Sequence, residues 1–259
     1  MGKFDGILLA SDFDGTLFYN GSISGENLAA IKYFQDNGGK FTVCSGRYYE
    51  FLKQFSSQFK INTYTICYNG AFIINSDTGE VLHEGFCDDY LFIIIDFLLQ
   101  KKLPYHFIAF YTLDEKEPIT YEISDYIAHI DDMKKKNIYK ILLRTDTPEN
   151  AEIGVAAANE FDLRDYIAVR SWDKSLEILK IDNAKGMAIR RVAKEINARL
   201  IVAVGDYEND IEMLKSADIG YAVGNAIDRL KNVADRITVN AKDSAIAKII
   251  YEIEKEFCV

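Results

Sequence analysis

The chain has 259 residues and carries 30 Lys and Arg against 40 Asp and Glu, a formal net charge of −10. That length holds one large domain or two ordinary ones with a full core, and 49% hydrophobic with 27% charged residues excludes a disordered polymer. The acidic balance argues against nucleic acid or an anionic membrane surface as partner, since both demand clustered Lys and Arg.

In chain order, MGKFDGILLASDFDG lacks the basic start, apolar stretch and small-residue cleavage site expected of a signal peptide. GILLAS at 6–11 is a continuous apolar run that ends on Asp12, as a buried parallel strand would. SGENLAAIKYFQ at 24–35 places Leu28, Ile31 and Phe34 at helical spacing, with Ser24 as N-cap and Gly38-Gly39 as the stop. A strand is predicted over Phe41 to Cys44, a helix over Tyr48 to Phe59 and a third strand over Tyr64 to Tyr68. Ala71 to Glu84, with Ser76-Asp77-Thr78-Gly79 at its centre, reads as a β-hairpin.

The middle stretch has its own helices (about 88–101, 120–136 and 148–161) and strands (105–110, 138–144, 166–171 and 175–181). Its longest apolar run, Tyr90 to Leu99, is broken by Asp96 and falls short of the roughly 20 residues of a membrane span. The densest basic run, Lys134-Lys135-Lys136, follows Asp131-Asp132 and reads as a solvated helix end. From Asn183 helix and strand alternate again, with strands at Leu200 to Val204, Ile219 to Val223 and Ile237 to Val239, before a last helix. Cys44, Cys67, Cys87 and Cys258 show no CxxC spacing, which suggests neither zinc nor a disulfide framework. The expected fold is α/β: a doubly wound, Rossmann-like parallel sheet core of residues 1–82 and 183–259, with an inserted α+β cap domain at 83–182. A soluble, cytoplasmic protein is expected, with no nucleic-acid or membrane partner.

Chemistry collects at the ends of the predicted strands. Asp12 and Asp14, in DFDGT, are two carboxylates at i, i+2 directly after a buried strand, where ligands of open α/β sheets bind. One carboxylate can attack phosphorus while the other moves a proton, although the same residues also suit an acidic turn. Ser45-Gly46, ahead of Arg47, offers a hydroxyl and an amide that fit a phosphate oxygen or, alternatively, an ordinary helix cap. Lys185 stands where a helix begins, against the helix dipole, which hints at an anion nearby and equally suits a lysine that is simply solvated. Asp206 and Asp210, in GDYEND, are four apart and follow another strand; hard carboxylate oxygens of this kind suit Mg²⁺, and an acidic helix start equally.

The ordered set DFDGT, SGR, KG and GDYENDIEML resembles the four motifs of the haloacid-dehalogenase-like hydrolase superfamily. The long insert, YNGA at 68–71 and GYAVGNA at 220–226 resemble its Cof-type, IIB-capped branch. The resemblance implies a Mg²⁺-dependent phosphatase of small phosphorylated metabolites, sugar phosphates foremost, working through an aspartyl-phosphate. Asp12 would be the nucleophile and Asp14 the general acid/base. Ser45 and Lys185 would hold the phosphoryl group with the amides of Phe13 and Gly46. Mg²⁺ would take the Asp12 and Asp206 side chains and the Asp14 carbonyl. Asn209 and Asp210 would support the phosphate and the metal's water shell. Such a chain would act as a monomer or weak homodimer. A phosphomutase using the same covalent chemistry, and a non-catalytic sensor on the same fold, are the alternatives. Tyr48 and Tyr207 depart from the branch's usual residues, as does NAKDSAIA at 240–247, and none of these removes a catalytic group.

Overall fold

The structure, a computed structural model, describes residues 2–258. In chain order it runs β1 (Ile7–Ser11), α1 (Gly25–Asp36), β2 (Lys40–Val43), α2 (Tyr49–Lys53), β3 (Tyr64–Cys67), β4 (Phe72–Asn75) and β5 (Val81–Glu84). Next come α3 (Tyr90–Gln100), β6 (Tyr105–Thr112), β7 (Ile119–Glu122), α4 (Ile123–Met133), β8 (Ile138–Thr145), α5 (Pro148–Asn159), β9 (Tyr166–Val169) and β10 (Ser175–Lys180). The chain closes with α6 (Lys185–Glu195), β11 (Leu200–Gly205), α7 (Ile211–Ser216), β12 (Ile219–Ala222), α8 (Asp228–Lys231), β13 (Arg236–Ile237) and α9 (Ala245–Phe257). It divides into two compact units, Met1–His83 with Ala184–Val259, and Glu84–Asn183.

The first unit is built on a parallel sheet of order β13-β12-β11-β1-β2. All five residues of β1 are buried, which is why ILLAS carries no polar alternation: helices cover both faces of such a sheet. Ser24 caps α1, its hydroxyl accepting the Asn27 N–H at 3.1 Å. Helix α1 packs on α9, and α6 on α7. From β1 the chain crosses to β2 on one side, and from β11 to β12 on the other. Right-handed crossovers in opposite directions send the loops after β1 and β11 to opposite faces and leave a crevice between them. Register sharpens this. Ser11 pairs with Val204 and with Val43, so three strands end within one residue of each other and Asp12, Cys44-Ser45 and Asp206 leave the sheet side by side.

Two expectations for this unit are corrected. Strand β3 does not extend the parallel sheet; a single bridge, Cys44 to Ile66, links it to the end of β2. Tyr68, Asn69 and Gly70 then take consecutive positive φ angles of 51°, 63° and 125°, which reverse the chain so that β4 runs antiparallel on β3. The helix predicted over Tyr48 to Phe59 stops at Lys53. After Lys53 the amides of Gln54, Phe55, Ser56 and Gln58 bond three residues back rather than four, and Phe55 turns inward onto Phe13 and Phe18.

The second unit is an antiparallel sheet of order β7-β6-β8-β10-β9. Ile108, Phe110, Ile141, Leu143, Leu176 and Ile178 point from it into a core closed by α3, α4 and α5. Its alternate residues, among them Tyr111, Lys140 and Glu177, lie on the other face. The predicted helix 120–136 is shorter than expected, because Ile119–Glu122 pairs with β6 as β7. Ile, Thr and Tyr fit a pleated edge better than a first helical turn. Among the described residues no helix is long and apolar enough to cross a membrane.

Candidate active site

Asp12 is the first residue past β1, 6% exposed, with its N–H bonded to the Val204 carbonyl at 2.9 Å. Lys185 opens α6 and is fully buried. Its ammonium lies 2.5 Å from Asp12 Oδ1 and 2.6 Å from Asp210 Oδ1, so one cation joins the ends of β1 and β11. The other Asp210 oxygen accepts the N–H groups of Asp206 (2.9 Å) and Tyr207 (3.2 Å), which ties the loop after β11 into a turn. Gly205 is required here, since a Cβ at that position would run into the Asp210 carboxylate.

Asp206 accepts a hydrogen bond from the Thr16 hydroxyl at 3.2 Å. Gly15 beside it has φ +81°, and a Cβ would collide with Asp206 Oδ2; the glycine of DFDGT serves both the turn and the close approach. Asn225, three residues past the end of β12, braces that turn: its side-chain NH2 donates to the Gly15 carbonyl at 2.9 Å and its side-chain oxygen accepts the Ala241 N–H at 2.7 Å.

Asp12, Asp206 and Asp210 each offer a carboxylate oxygen, and the three oxygens lie within 4.8 Å of one another. Burial pushes the Asp12 carboxyl well up against the pull of Lys185, and Asp210 and Asp206 add to the rise. Burial, with Asp210 next, likewise raises Asp206 to about 7. Burial alone would lower Lys185, but Asp12 and Asp210 outweigh it and hold the ammonium protonated. Three carboxyl groups face one ammonium in a desolvated place, so full ionisation of the cluster calls for a further cation. Hard oxygen donors in excess of cations are the donor set that suits Mg²⁺, and the residues present fit that ion.

The other expected residues stand close by in the chain's loops. Ser45 is 1% exposed, and its hydroxyl accepts the Arg47 N–H at 3.1 Å, the start of the turn into α2. Gly46 is partly exposed between them. The Phe13 side chain is buried against Phe18, Phe51 and Phe55, which leaves its backbone as the part available on the loop. Asn209 donates to the Asn69 amide oxygen at 3.2 Å. The Asp14 carboxylate does not join the acidic triad; Arg47 holds it with two nitrogens, at 2.8 and 2.9 Å. Arg47, Thr16, Asn69 and Asn225 were not singled out by residue type. Each lies inside a quoted motif (SGR, DFDGT, YNGA, GYAVGNA), and that adjacency is the only signal that could have found them. The three histidines stand elsewhere: His106 pairs with Asp146 at 2.8 Å and His129 stacks on Tyr121.

Known proteins resemble this chain over nearly its whole length. Phosphatase YwpJ of Bacillus subtilis is 26% identical over 283 residues, covering 94% of this chain and 98% of its own. The 5-amino-6-(5-phospho-D-ribitylamino)uracil phosphatase YitU of the same organism is 25% identical over 265 residues, covering 95% and 96%. Among solved structures, the subclass IIB sugar phosphatase BT4131 shares the fold with a TM-score of 0.76 at 19% identity, over 95% of this chain and 98% of its own. The family model for haloacid dehalogenase-like hydrolases matches residues 9–250. With nearly the whole chain matched, this protein belongs to the haloacid dehalogenase-like hydrolase family.

Proposed function

We propose that the protein is a Mg²⁺-dependent phosphatase of small phosphorylated metabolites, with sugar and sugar-alcohol phosphates as the substrate class. The observation that carries this reading is the Lys185 ammonium set between Asp12 and Asp210 at the adjacent ends of β1 and β11, beside Asp206. The substrate class rests on the relatives: one is named for a phosphoribityl compound and a structural neighbour for sugar phosphates.

In this reading an Asp12 oxygen attacks phosphorus, the bond from phosphorus to the leaving oxygen breaks, and that oxygen takes a proton from Asp14. A water then attacks the aspartyl-phosphate, gives its proton to Asp14, and inorganic phosphate leaves with the Asp12 carboxylate restored. A carboxylate approaching a phosphate dianion meets repulsion, which the Lys185 ammonium offsets at contact distance from Asp12. Bound between Asp12, the Asp14 carbonyl and Asp206, with Asp210 at the water shell, Mg²⁺ would supply further charge neutralisation to the phosphoryl oxygens. Ser45, the Phe13 and Gly46 amides and Asn209 are proposed to orient the phosphoryl group. Residues 1–82 with 183–259 are proposed as the catalytic core and 83–182 as its cap, working in the cytoplasm as a monomer or weak homodimer.

The test is phosphate release from p-nitrophenyl phosphate and a panel of sugar and polyol phosphates, with Mg²⁺ and with EDTA. Mg²⁺-dependent release that disappears in Asp12→Asn supports the reading. Release that persists in that variant overturns it.

A further inference from the structure

Arg47 is the residue of the SGR segment to which the proposed mechanism assigns no task. Its guanidinium meets Asp14 as a fork, Nε to Oδ2 at 2.8 Å and Nη2 to Oδ1 at 2.9 Å. The fork is itself held. The guanidinium carbon sits 4.5 Å over the Phe51 ring, and Phe51 packs on Phe13 and Phe55. The Arg47 backbone is fixed at both ends, its N–H donating to the Ser45 hydroxyl at 3.1 Å and its carbonyl accepting the Tyr68 N–H at 3.0 Å.

Asp14 needs such an anchor. Its side chain is 43% exposed and stands on a sharp turn, so its carboxyl would otherwise sample several rotamers. An exposed ion pair contributes little to stability, but a bidentate fork fixes direction as well as distance. A carboxylate gripped by both oxygens still keeps a free lone pair on each, so its direction is fixed while a water can still reach it.

We propose that Arg47 is a positioning residue for the second half of the reaction: it holds the Asp14 carboxylate where it takes the proton of the water that hydrolyses the aspartyl-phosphate. In that step the water oxygen bonds to phosphorus, the bond from phosphorus to Asp12 breaks and leaves its electron pair on the Asp12 oxygen, and the water proton passes to Asp14. The inference rests on the phosphatase reading above and predicts a kinetic signature which a merely structural contact would not produce. Without Arg47 the phosphoenzyme should form at near its usual rate and then persist.

The experiment is stopped-flow hydrolysis of p-nitrophenyl phosphate, whose leaving group departs without acid help, by the full-length protein with Mg²⁺. Arg47→Ala should show a burst near one nitrophenol per active site, then a steady state roughly ten- to hundred-fold slower than wild type, in the range usual for lost supporting contacts. KM should fall along with kcat, so that kcat/KM, which ends at leaving-group departure, stays within about three-fold of wild type. Arg47→Lys, which keeps the charge and one contact, should recover part of the rate. Adding Arg47→Ala to Asp14→Asn should cost nothing further, because the arginine acts through the carboxylate. A kcat/KM that falls as far as kcat, with no burst, would mean that Arg47 serves phosphoryl transfer and overturns the proposal. So would an Arg47→Ala variant faster than wild type, or an additive double variant. A wild-type protein that releases no phosphate fails the phosphatase reading first and this one with it.

Discussion

Both units bury charge, and they bury it differently. In the middle unit the Lys140 ammonium and the Glu177 carboxylate meet at 2.6 Å across β8 and β10, each about 1–2% exposed, inside a sheet. In the flanking unit Lys185 faces Asp12 and Asp210, with Asp206 adjacent, at the ends of strands and one cation against three carboxylates. A matched pair in mid-sheet can be satisfied by the protein alone. An unmatched cluster at a strand's carboxyl end needs a proton or an arriving cation to balance it. The comparison teaches that burial of charge does not by itself mark a site, whereas imbalance and position together do.

The largest effect that sharpens this contrast is loss of the nucleophile. Asp12→Asn keeps the volume and should lower phosphate release by roughly 10⁴-fold or more, as nucleophile deletions do, with the circular dichroism spectrum unchanged. Next comes the cation. EDTA should stop turnover, and Asp206→Asn should lower activity about hundred-fold at fixed Mg²⁺ while raising the Mg²⁺ needed for half-maximal rate. A Mg²⁺ titration that superimposes on wild type would break the assignment of Asp206.

The middle unit should respond in stability instead. Glu177→Gln removes the carboxylate paired with a buried ammonium and should cost about 3–5 kcal/mol in urea unfolding, whereas replacing both Lys140 and Glu177 by Met and Leu should cost less than the single change. Equal losses for the single and double variants would show that the pair is not what the ammonium depends on.

The smallest effect lies at the surface of the same unit. Burial would raise the Asp88 carboxyl, but hydrogen bonds from Lys180, Tyr166 and the Tyr90 N–H outweigh it and lower it below 3.8. A depressed carboxyl contributes stability that is present above the unfolded value and is lost as pH falls through the folded one. Asp88→Asn should therefore cost under about 1 kcal/mol at pH 7, with the stability difference closing below pH 4, since the pair is half exposed. A difference that stays constant down to pH 2 would reject the ion pair as its source.

Much of the architecture was legible in the chain. The run GILLAS is uniformly apolar because parallel strands are covered on both faces, and the strands preceding DFDGT and GDYEND could be placed from that alone. Where reading failed, a contact from elsewhere won. Phe51 and Phe55 look like one face of a helix running to Phe59, yet the helix ends at Lys53 and Phe55 turns onto Phe13 and Phe18. Tyr64–Cys67 has the composition of a sheet strand, but composition does not say which sheet, and the positive-φ turn at 68–70 gives it β4 as partner.

The sequence by itself determined the elements, the strand-end motifs and the chemical kind of each group, because hydrophobic period and turn chemistry act over a few residues. Only the tertiary structure decided which groups meet. Lys185 is 173 residues from Asp12 and reaches it because β1 and β11 pair in register. Arg47 is 33 residues from Asp14 and grips it because β1 and β2 end level. No local propensity encodes either distance; the topology of the sheet does.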